Sequence, residues 1–233
     1  MIRFWGQPRF SMETCTMSGF ELFIRQHDET TGNWVVPEDF SVFGVDQVTT
    51  LLRKTVAAMP SGPLDVSFNL DQEQFVDEAY CQVLSGIEKQ SEVSISVELT
   101  ERLGNGDKPL SMAGLKKAAK AYYDAGIPVI LDDVGTGENQ TNLVDALDPY
   151  VTEYKFALQN VRDSEPMAEI KTQVDFWRTL AKQHGKHFTI EGFEGPQDTR
   201  LIQLYKPNAV QGYYFGRPHV LPIAADFIET EFE

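Results

Sequence analysis

The feature that most constrains the fold of this chain is a regular alternation between short apolar runs and longer segments with helical periodicity. The apolar runs predict strands over residues 2–6, 20–25, 64–70, 93–99, 129–134, 151–156, 187–192 and 209–212. The helical patterns lie near residues 46–58, 72–88, 112–125, 140–147, 167–185 and 196–205. Crossovers long enough to hold a helix join parallel strands, so this order predicts a parallel sheet covered by helices, either closed as a barrel or open.

The first two predicted strands interrupt this order. The stretch 9–19 between them is too short for an ordinary crossover helix, so we expect an antiparallel hairpin there. A length of 233 residues with 42% hydrophobic residues suits one α/β domain, because a chain of that size buries most of its apolar surface in one core. We therefore expect a single domain whose sheet is irregular at its start.

Polar side chains recur near the carboxyl ends of the predicted strands. In segment 64–70, period-two alternation places Asn69 on a polar face, and in segment 93–99 it does the same for Glu98. A parallel barrel would gather such side chains at one mouth, where the active sites of barrel enzymes form. The eight residues of this predicted mouth are Glu21, Asn69, Glu98, Asp132, Asp133, Lys155, Glu191 and Gln211.

Five of these eight side chains are carboxylates. So many carboxylates at one mouth repel one another unless cations neutralise them, and oxygen ligands without cysteine or histidine suit Mg²⁺ or Mn²⁺. Two such ions roughly 3.5–4 Å apart can activate water and stabilise the leaving oxygen of an in-line displacement at phosphorus. The pattern therefore predicts a metal-dependent phosphodiesterase.

Charge and composition exclude several other classes of protein. The formal net charge of −15 repels nucleic-acid polymers and anionic membranes, so neither is an expected partner. No apolar run approaches the roughly 20 residues that span a bilayer, and the first residues lack a signal-peptide pattern, so we predict a cytoplasmic location. Cys15 and Cys81 are expected to be reduced, and the histidines lack the spacing of a zinc site.

Six separated motifs resemble those of one known enzyme family. Segment 19–25, GFELFIR, is similar to the signature G-[FY]-E-A-L-x-R, with Leu22 and Phe23 in place of its Ala and Leu. Segments 68–70, 97–101, 131–137 and 190–194 are similar to V-N-[LI]-S, E-[LIV]-T-E, D-D-F-G-T-G and A-E-G-V-E. Segment 210–218, VQGYYFGRP, is similar to V-Q-G-Y-x-[FLI]-x-[RK]-P. Together these motifs resemble the EAL family of cyclic di-GMP phosphodiesterases.

The resemblance implies a fold and an activity. The fold is an α/β TIM-like (β/α)8 barrel with an irregular antiparallel first strand, forming a single EAL-type domain over residues 1–233. The activity is hydrolysis of cyclic di-GMP to the linear dinucleotide pGpG with two Mg²⁺ or Mn²⁺ ions as cofactors. A homodimer is implied as well.

The resemblance also implies which residues bind metal. They are Glu21, Asn69, Glu98, Asp132, Asp133 and Glu191. One ion would lie among the first four, and Asp132 would bridge it to a second ion held with Asp133.

Further residues are implied in catalysis and ligand binding. The catalytic set is Glu191, Lys155 and Asp133. Lys155 would orient the attacking water or stabilise phosphate charge, and Glu191 would be the general base or an organiser of metal and water. The residues implied in substrate binding are Arg25, Gln211 and Gln7, and those implied in supporting the nearby loops are Glu101 and Glu194.

Two departures from the family motifs leave other functions open. The family has K-[IL]-D where this chain has Lys155, Phe156 and Ala157, so a carboxylate is missing, and such losses around a metal site cost about 10–100-fold in affinity or activity. The loop after Asp133 also differs at Val134 and at residues 138–140. One alternative is therefore a weak or inactive domain that serves as a cyclic di-GMP receptor or interaction module, and another is a hydrolase for a different phosphodiester.

Overall fold

Ten strands form one sheet in the computed structural model, which describes residues 1–40, 42–60, 62, 64–104 and 110–227. The strands are β1 (Ile2–Ser11), β2 (Thr16–His27), β3 (Trp34–Val35), β4 (Asp65–Leu70), β5 (Ser94–Leu99), β6 (Val129–Leu131), β7 (Glu153–Ala157), β8 (His187–Glu191), β9 (Ala209–Gln211) and β10 (His219–Val220). The helices are α1 (Val45–Val56), α2 (Gln72–Val76), α3 (Glu78–Glu88), α4 (Met112–Asp124), α5 (Thr141–Leu147), α6 (Leu158–Val161), α7 (Met167–His184) and α8 (Thr199–Tyr205). Among these helices, none is both long and apolar enough to cross a membrane.

The sheet closes into an eight-stranded barrel through its first strand. β1 pairs antiparallel with β2 along its whole length and with β9 at its end, where Arg9 faces Gln211. From β2 through β4, β5, β6, β7 and β8 to β9, every neighbouring pair is parallel. β3 and β10 pair only at the margins, with β2 and β1. The predicted TIM-like (β/α)8 barrel with an irregular antiparallel first strand is confirmed, and the open-sheet alternative is wrong.

The two faces of the barrel strands differ in polarity, as their sequence alternation predicts. On β4, Val66 and Phe68 belong to the buried apolar core, whereas Ser67 between them is buried on the opposite face. Inside the barrel, the side chains of Arg9 and Thr189 donate hydrogen bonds to the same oxygen of Glu153, at 2.5 and 2.6 Å. These pairings satisfy part of the polar interior and leave the carboxyl end of the barrel for the site described below.

Side-chain caps decide where several helices begin. Asp71 forms a capping box with Gln74 and begins α2, and the Ser111 hydroxyl accepts a hydrogen bond from the backbone of α4. Asp77 is extended, with a ψ of 111°, and its carboxylate accepts from the backbone N–H of Ala79. The predicted helix 72–88 is therefore two helices, α2 and α3, separated at Asp77.

Strand lengths differ from the predictions where the hairpin leaves the barrel. β1 runs to Ser11 rather than residue 6, and β2 continues to His27. β2 pairs with β4 only over residues 19–22, so Glu21 lies in the middle of its strand and not at the carboxyl end. β3, β10 and α6 were not predicted, because two-residue strands and a one-turn helix are too short to show a periodic pattern.

Candidate active site

A cavity of about 660 Å³ opens at the carboxyl end of the barrel. A volume of this size is typical of sites that bind small ligands. Its walls come from β2, β4 and β9 and from the residues that follow β5, β6 and β8, and they include Asn69, Glu101, Asp132, Asp133, Glu191 and Gln211. The structure therefore brings the predicted mouth residues together, with Glu98 and Lys155 fully buried beside it.

Lys155 lies at the centre of the acidic groups. Its Nζ is 2.5 Å from Glu98 Oε2, 2.8 Å from Glu191 Oε2, 3.0 Å from Glu21 Oε2 and 3.1 Å from Asp132 Oδ1. All five side chains are almost completely buried, so water screens these charges weakly. Parallel strands make this possible, because β4 to β8 end at the same edge of the barrel.

The pKa values in this group follow from burial and from an excess of negative charge. Burial alone would lower the pKa of Lys155, but the surrounding carboxylates, Asp132 first, raise it well above its usual range. Burial would raise the pKa of Glu21, yet the Lys155 ammonium and the hydrogen bonds from Asn69 and Gln211 together lower it. Burial and the neighbouring Glu21 raise the pKa of Glu98 to about 7, and burial and Glu191 raise that of Asp133 to about 7. The single ammonium of Lys155 therefore does not neutralise the carboxylates around it.

The carboxylates form two overlapping groups that fit divalent cations. Oxygens of Glu21, Glu98 and Asp132 lie within 4.8 Å of one another, and so do oxygens of Glu101, Asp132 and Asp133. Among the residues that the structure describes, Glu98 Oε1 and Asp133 Oδ1 are buried without a hydrogen-bond partner. Unpartnered buried acceptors in an all-oxygen set suit a hard divalent metal, and Asp132 is placed to serve both groups.

Amide side chains on β4 and β9 hold Glu21 in place. Asn69 Nδ2 donates to Glu21 Oε1 at 2.8 Å, and Gln211 Nε2 donates to Glu21 Oε2 at 2.7 Å. Gln211 also donates to Gln7 Oε1 at 3.1 Å, and Gln7 donates to the backbone oxygen of Gly216 at 3.3 Å. Glu21 is thus fixed, and the amide oxygen of Asn69 is left to serve as a ligand.

The loop after β6 is held by an asparagine that sequence reasoning missed. Asn139 is fully buried, and its Nδ2 donates to the backbone oxygens of Leu99 and Asp132, at 3.0 and 2.5 Å. The backbone N–H of Glu138 donates to the backbone oxygen of Glu101 at 3.3 Å, so the backbone of Glu101 contacts this loop. In the sequence, Asn139 stands out only as a departure from the family motif, and its small amide side chain, two residues after Gly137, is the available signal.

Arg25 and Glu194 line the outer part of the cavity. Arg25 is half-buried, donates to the backbone oxygen of Ile24 at 3.2 Å and lies 6.0 Å from the centre of the Phe23 ring. Glu194 is exposed, and its carboxylate is 3.8 Å from Arg162 Nε. Neither touches the buried carboxylates, so the structure leaves both at the rim.

Two residues after β7 also contact the acidic groups and were not predicted. Gln159 Nε2 donates to Glu191 Oε1 at 2.6 Å, and Asn160 opposes the rise that burial causes in the pKa of Asp133. Both follow Ala157, which is buried and pairs with Glu191 across β7 and β8. They lie beyond the alternating strand pattern, so no sequence rule placed them in the mouth.

Comparison with known proteins gives a family and a fold. The family model described as EAL domain matches residues 2–218. No curated protein matches the chain.

Three solved structures with a similar fold carry cyclic di-GMP in their descriptions. The PaMucR phosphodiesterase in a c-di-GMP complex is 18% identical with a TM-score of 0.76, over 97% of this chain and 94% of that one. Bacillus subtilis YkuI, with c-di-GMP and calcium, is 17% identical with a TM-score of 0.76, over 99% and 60%. Klebsiella pneumoniae BlrP1, with calcium and cyclic di-GMP, is 20% identical with a TM-score of 0.77, over 95% and 57%. The chain thus spans little more than half of the last two proteins.

Proposed function

Because this chain belongs to the EAL domain family, we propose that it hydrolyses one 3′–5′ phosphodiester bond of cyclic di-GMP and releases linear pGpG. The observation that carries the proposal is the pair of carboxylate groups that share Asp132 at the mouth of the barrel. Two neighbouring divalent sites are the arrangement that in-line displacement at phosphorus uses. The similar structures described with bound cyclic di-GMP support the choice of substrate.

Two divalent cations would be held by the two carboxylate groups. We assign one to Glu21, Asn69, Glu98 and Asp132, and the other to Asp132 and Asp133, with Glu101 beside it. The family resemblance adds Glu191, which lines the same cavity, as a further ligand. When bound, such ions supply a Lewis acid for the phosphate and a more acidic water. We propose Mg²⁺ or Mn²⁺, and the BlrP1 complex with manganese is consistent with the second.

The protein's own residues would position the reacting groups. Glu191 faces the cavity and is held at one oxygen by Lys155 and at the other by Gln159, so its orientation suits a general base or a group that aligns the attacking water. Lys155 stays protonated among its carboxylates and offers positive charge close to where the phosphate would gain negative charge. Proton transfer would thus run from water to a carboxylate at the mouth.

The outer cavity would bind the rest of the dinucleotide. Arg25 stands at the rim and suits a phosphate oxygen or the edge of a guanine, because guanidinium donors pair with both. Gln7 and Gln211 line the inner wall and would contact the ligand or the ordered water near it. Glu194 would support the loop after β8.

The receptor alternative differs from the enzyme in one measurable step. Titration calorimetry with cyclic di-GMP and Mn²⁺ reports binding, and chromatography of the same mixture reports linear product. We expect both binding and product for the natural chain, and binding without product for Glu191→Gln. A matched control, Glu169→Gln, changes an exposed carboxylate in the first turn of α7 and should leave both unchanged. Binding without product in the natural chain would favour the receptor.

The extent of the domain, the location and the assembly follow from the same proposal. We propose one EAL-type domain over residues 1–233, of which 41, 61, 63, 105–109 and 228–233 lie outside the described residues. A homodimer is proposed on the family resemblance, and a cytoplasmic location on the lack of an apolar run long enough to span a bilayer. Light scattering at working concentration tests the homodimer, and a monomer would contradict it.

A further inference from the structure

The short helix α6 bridges two acidic strand ends. In the sheet, β7 lies between β6 and β8, and α6 follows β7 directly. Asp133 comes just after β6, and Glu191 ends β8. Residues at the start of α6 can therefore reach a mouth carboxylate on either side.

Gln159 reaches the carboxylate of β8. Its Nε2 donates to Glu191 Oε1 at 2.6 Å, while Lys155 Nζ lies 2.8 Å from Glu191 Oε2, so each oxygen has its own donor. Gly192 leaves the room for this contact, because a Cβ there would lie 1.9 Å from Gln159 Oε1, and its φ of +77° favours glycine. The contact between Gln159 and Glu191 thus depends on the residues that follow β7 and on Gly192 directly after β8.

Burial and Glu191 raise the pKa of Asp133 on the other side, and the Asn160 side chain opposes that rise. Arg162 fixes α6 relative to β8: its Nη2 donates to the backbone oxygen of Gly192 at 2.6 Å. Its two terminal nitrogens also pair with the two oxygens of Asp198, each at 3.0 Å. Such a bidentate pair holds direction as well as distance, so α6 has a defined position between the two acids.

Charge explains why amides suit this place. The mouth already holds five carboxylates, Glu21, Glu98, Asp132, Asp133 and Glu191, around the ammonium of Lys155. A further carboxylate at position 157 would add repulsion in a weakly screened setting, whereas an amide N–H₂ donates to a carboxylate without adding charge.

We propose that Gln159 is a positioning residue whose neutral amide donor takes the place of the carboxylate that Ala157 lacks. Gln159 sets the orientation of Glu191. The proposal rests on the proposed phosphodiesterase function for its kinetic consequence, but its effect on metal binding can be measured without turnover.

The kinetic experiment uses the full chain with cyclic di-GMP and Mn²⁺. Gln159→Ala should lower kcat about 10–100-fold with little change in KM, because the substrate still binds while Glu191 turns freely. Gln159→Glu should be at least as damaging, since it places a carboxylate against Glu191. The matched control is Gln173→Ala, which deletes another Gln–Glu hydrogen bond, to Glu165, on the outside of the barrel and should leave kcat unchanged.

The second readout is Mn²⁺ affinity by titration calorimetry without nucleotide. Gln159→Ala should weaken Mn²⁺ binding about 10-fold or more, with thermal unfolding close to that of the natural chain. If the natural chain turns over substrate and Gln159→Ala matches it in kcat and in Mn²⁺ affinity, the proposal is overturned. If the natural chain shows no turnover but Gln159→Ala binds Mn²⁺ more weakly, the positioning role stands and the proposed function fails. Unchanged Mn²⁺ affinity in an inactive protein overturns both.

Discussion

Lys155 and Asp132 carry the two main properties of the site at the scale of single residues. Lys155 is the one buried ammonium among the four carboxylates within 3.1 Å of it. Asp132 belongs to both carboxylate groups that fit a cation. Lys155 compensates the negative charge when no metal is bound, and Asp132 would link the two metal ions.

Replacing Lys155 by methionine should destabilise the metal-free protein. Removing one partner of a buried ion pair costs about 3–5 kcal/mol, because the remaining charges stay buried without compensation. Urea denaturation in a metal chelator would measure the loss in the free energy of unfolding. Lys117→Met removes the exposed pair with Glu78 and should cost far less, because water screens that pair.

The loss caused by Lys155→Met should depend on pH. The pKa of Glu98 is already raised to about 7 with the ammonium in place, and removing the ammonium raises it further. The folded state then binds protons that the unfolded state releases, so the destabilisation is smaller at pH 5 than at pH 8. An equal loss at both pH values would contradict the assigned charge balance.

Asp132→Asn should impair metal binding more than Glu101→Gln or Glu21→Gln does. Because Asp132 serves both groups, its loss should weaken every Mn²⁺ site seen by calorimetry by at least about 10-fold. Glu101→Gln and Glu21→Gln each touch one group and should leave a second Mn²⁺ bound with nearly natural affinity. Selective loss of one ion in Asp132→Asn would argue against a shared ligand.

At the scale of elements, the close approach of β2 and β4 helps to shape the mouth. Gly19 faces Asp65 across this parallel pair, and a Cβ at Gly19 would lie 1.8 Å from the backbone oxygen of Asp65. The hairpin of β1 and β2 closes the barrel, and Glu21 follows Gly19 by two residues. The position of Glu21 therefore depends on the close contact between Gly19 and the backbone of Asp65.

Gly19→Ala should destabilise the protein by about 1–3 kcal/mol or more, since the new methyl group meets backbone that cannot move aside cheaply. Gly86→Ala is the matched change: Gly86 lies in α3 with no atom near its Cβ position, so helix propensity should stabilise the protein by about 0.8–1 kcal/mol. Denaturant midpoints of the two variants should move in opposite directions. A tolerated Gly19→Ala would show that the strands can separate.

Elements with a clear period could be predicted from the sequence, and contacts between elements could not. Alternation placed Asn69, Glu98, Lys155 and Glu191 on the inner face correctly, because each strand has only two faces. Glu21 was expected at a strand end, yet β2 continues past it, since hairpin pairing with β1 extends the strand. Asn139, Gln159 and Asn160 were missed because they act from loops or a one-turn helix, where local sequence does not specify a partner.

At the scale of the whole molecule, the site adds to an already strong negative charge. The net charge of the chain is −15. The carboxylates at the mouth of the barrel are part of this charge, and because they are buried, ions from solution screen them weakly. Divalent cations at the mouth would relieve this repulsion in the folded state alone. Metal binding should therefore couple to stability.

Mn²⁺ should raise the thermal stability of the protein, and a chelator should reverse the rise. An ion present at about 100 times its Kd stabilises a folded protein by about 2.7 kcal/mol per site. Scanning calorimetry with and without Mn²⁺ measures the shift in Tm, which should largely disappear in Asp132→Asn. A shift of equal size in that variant would place the bound ion elsewhere.

The most direct test of the account is hydrolysis in ¹⁸O-labelled water. The protein is incubated with cyclic di-GMP and Mn²⁺, beside Glu191→Gln, and the products are separated and weighed by mass spectrometry. We expect linear pGpG carrying one ¹⁸O on its terminal phosphate, formed by the natural chain and nearly absent with the variant. Intact cyclic di-GMP, bound but unlabelled after long incubation with the natural chain, would contradict it.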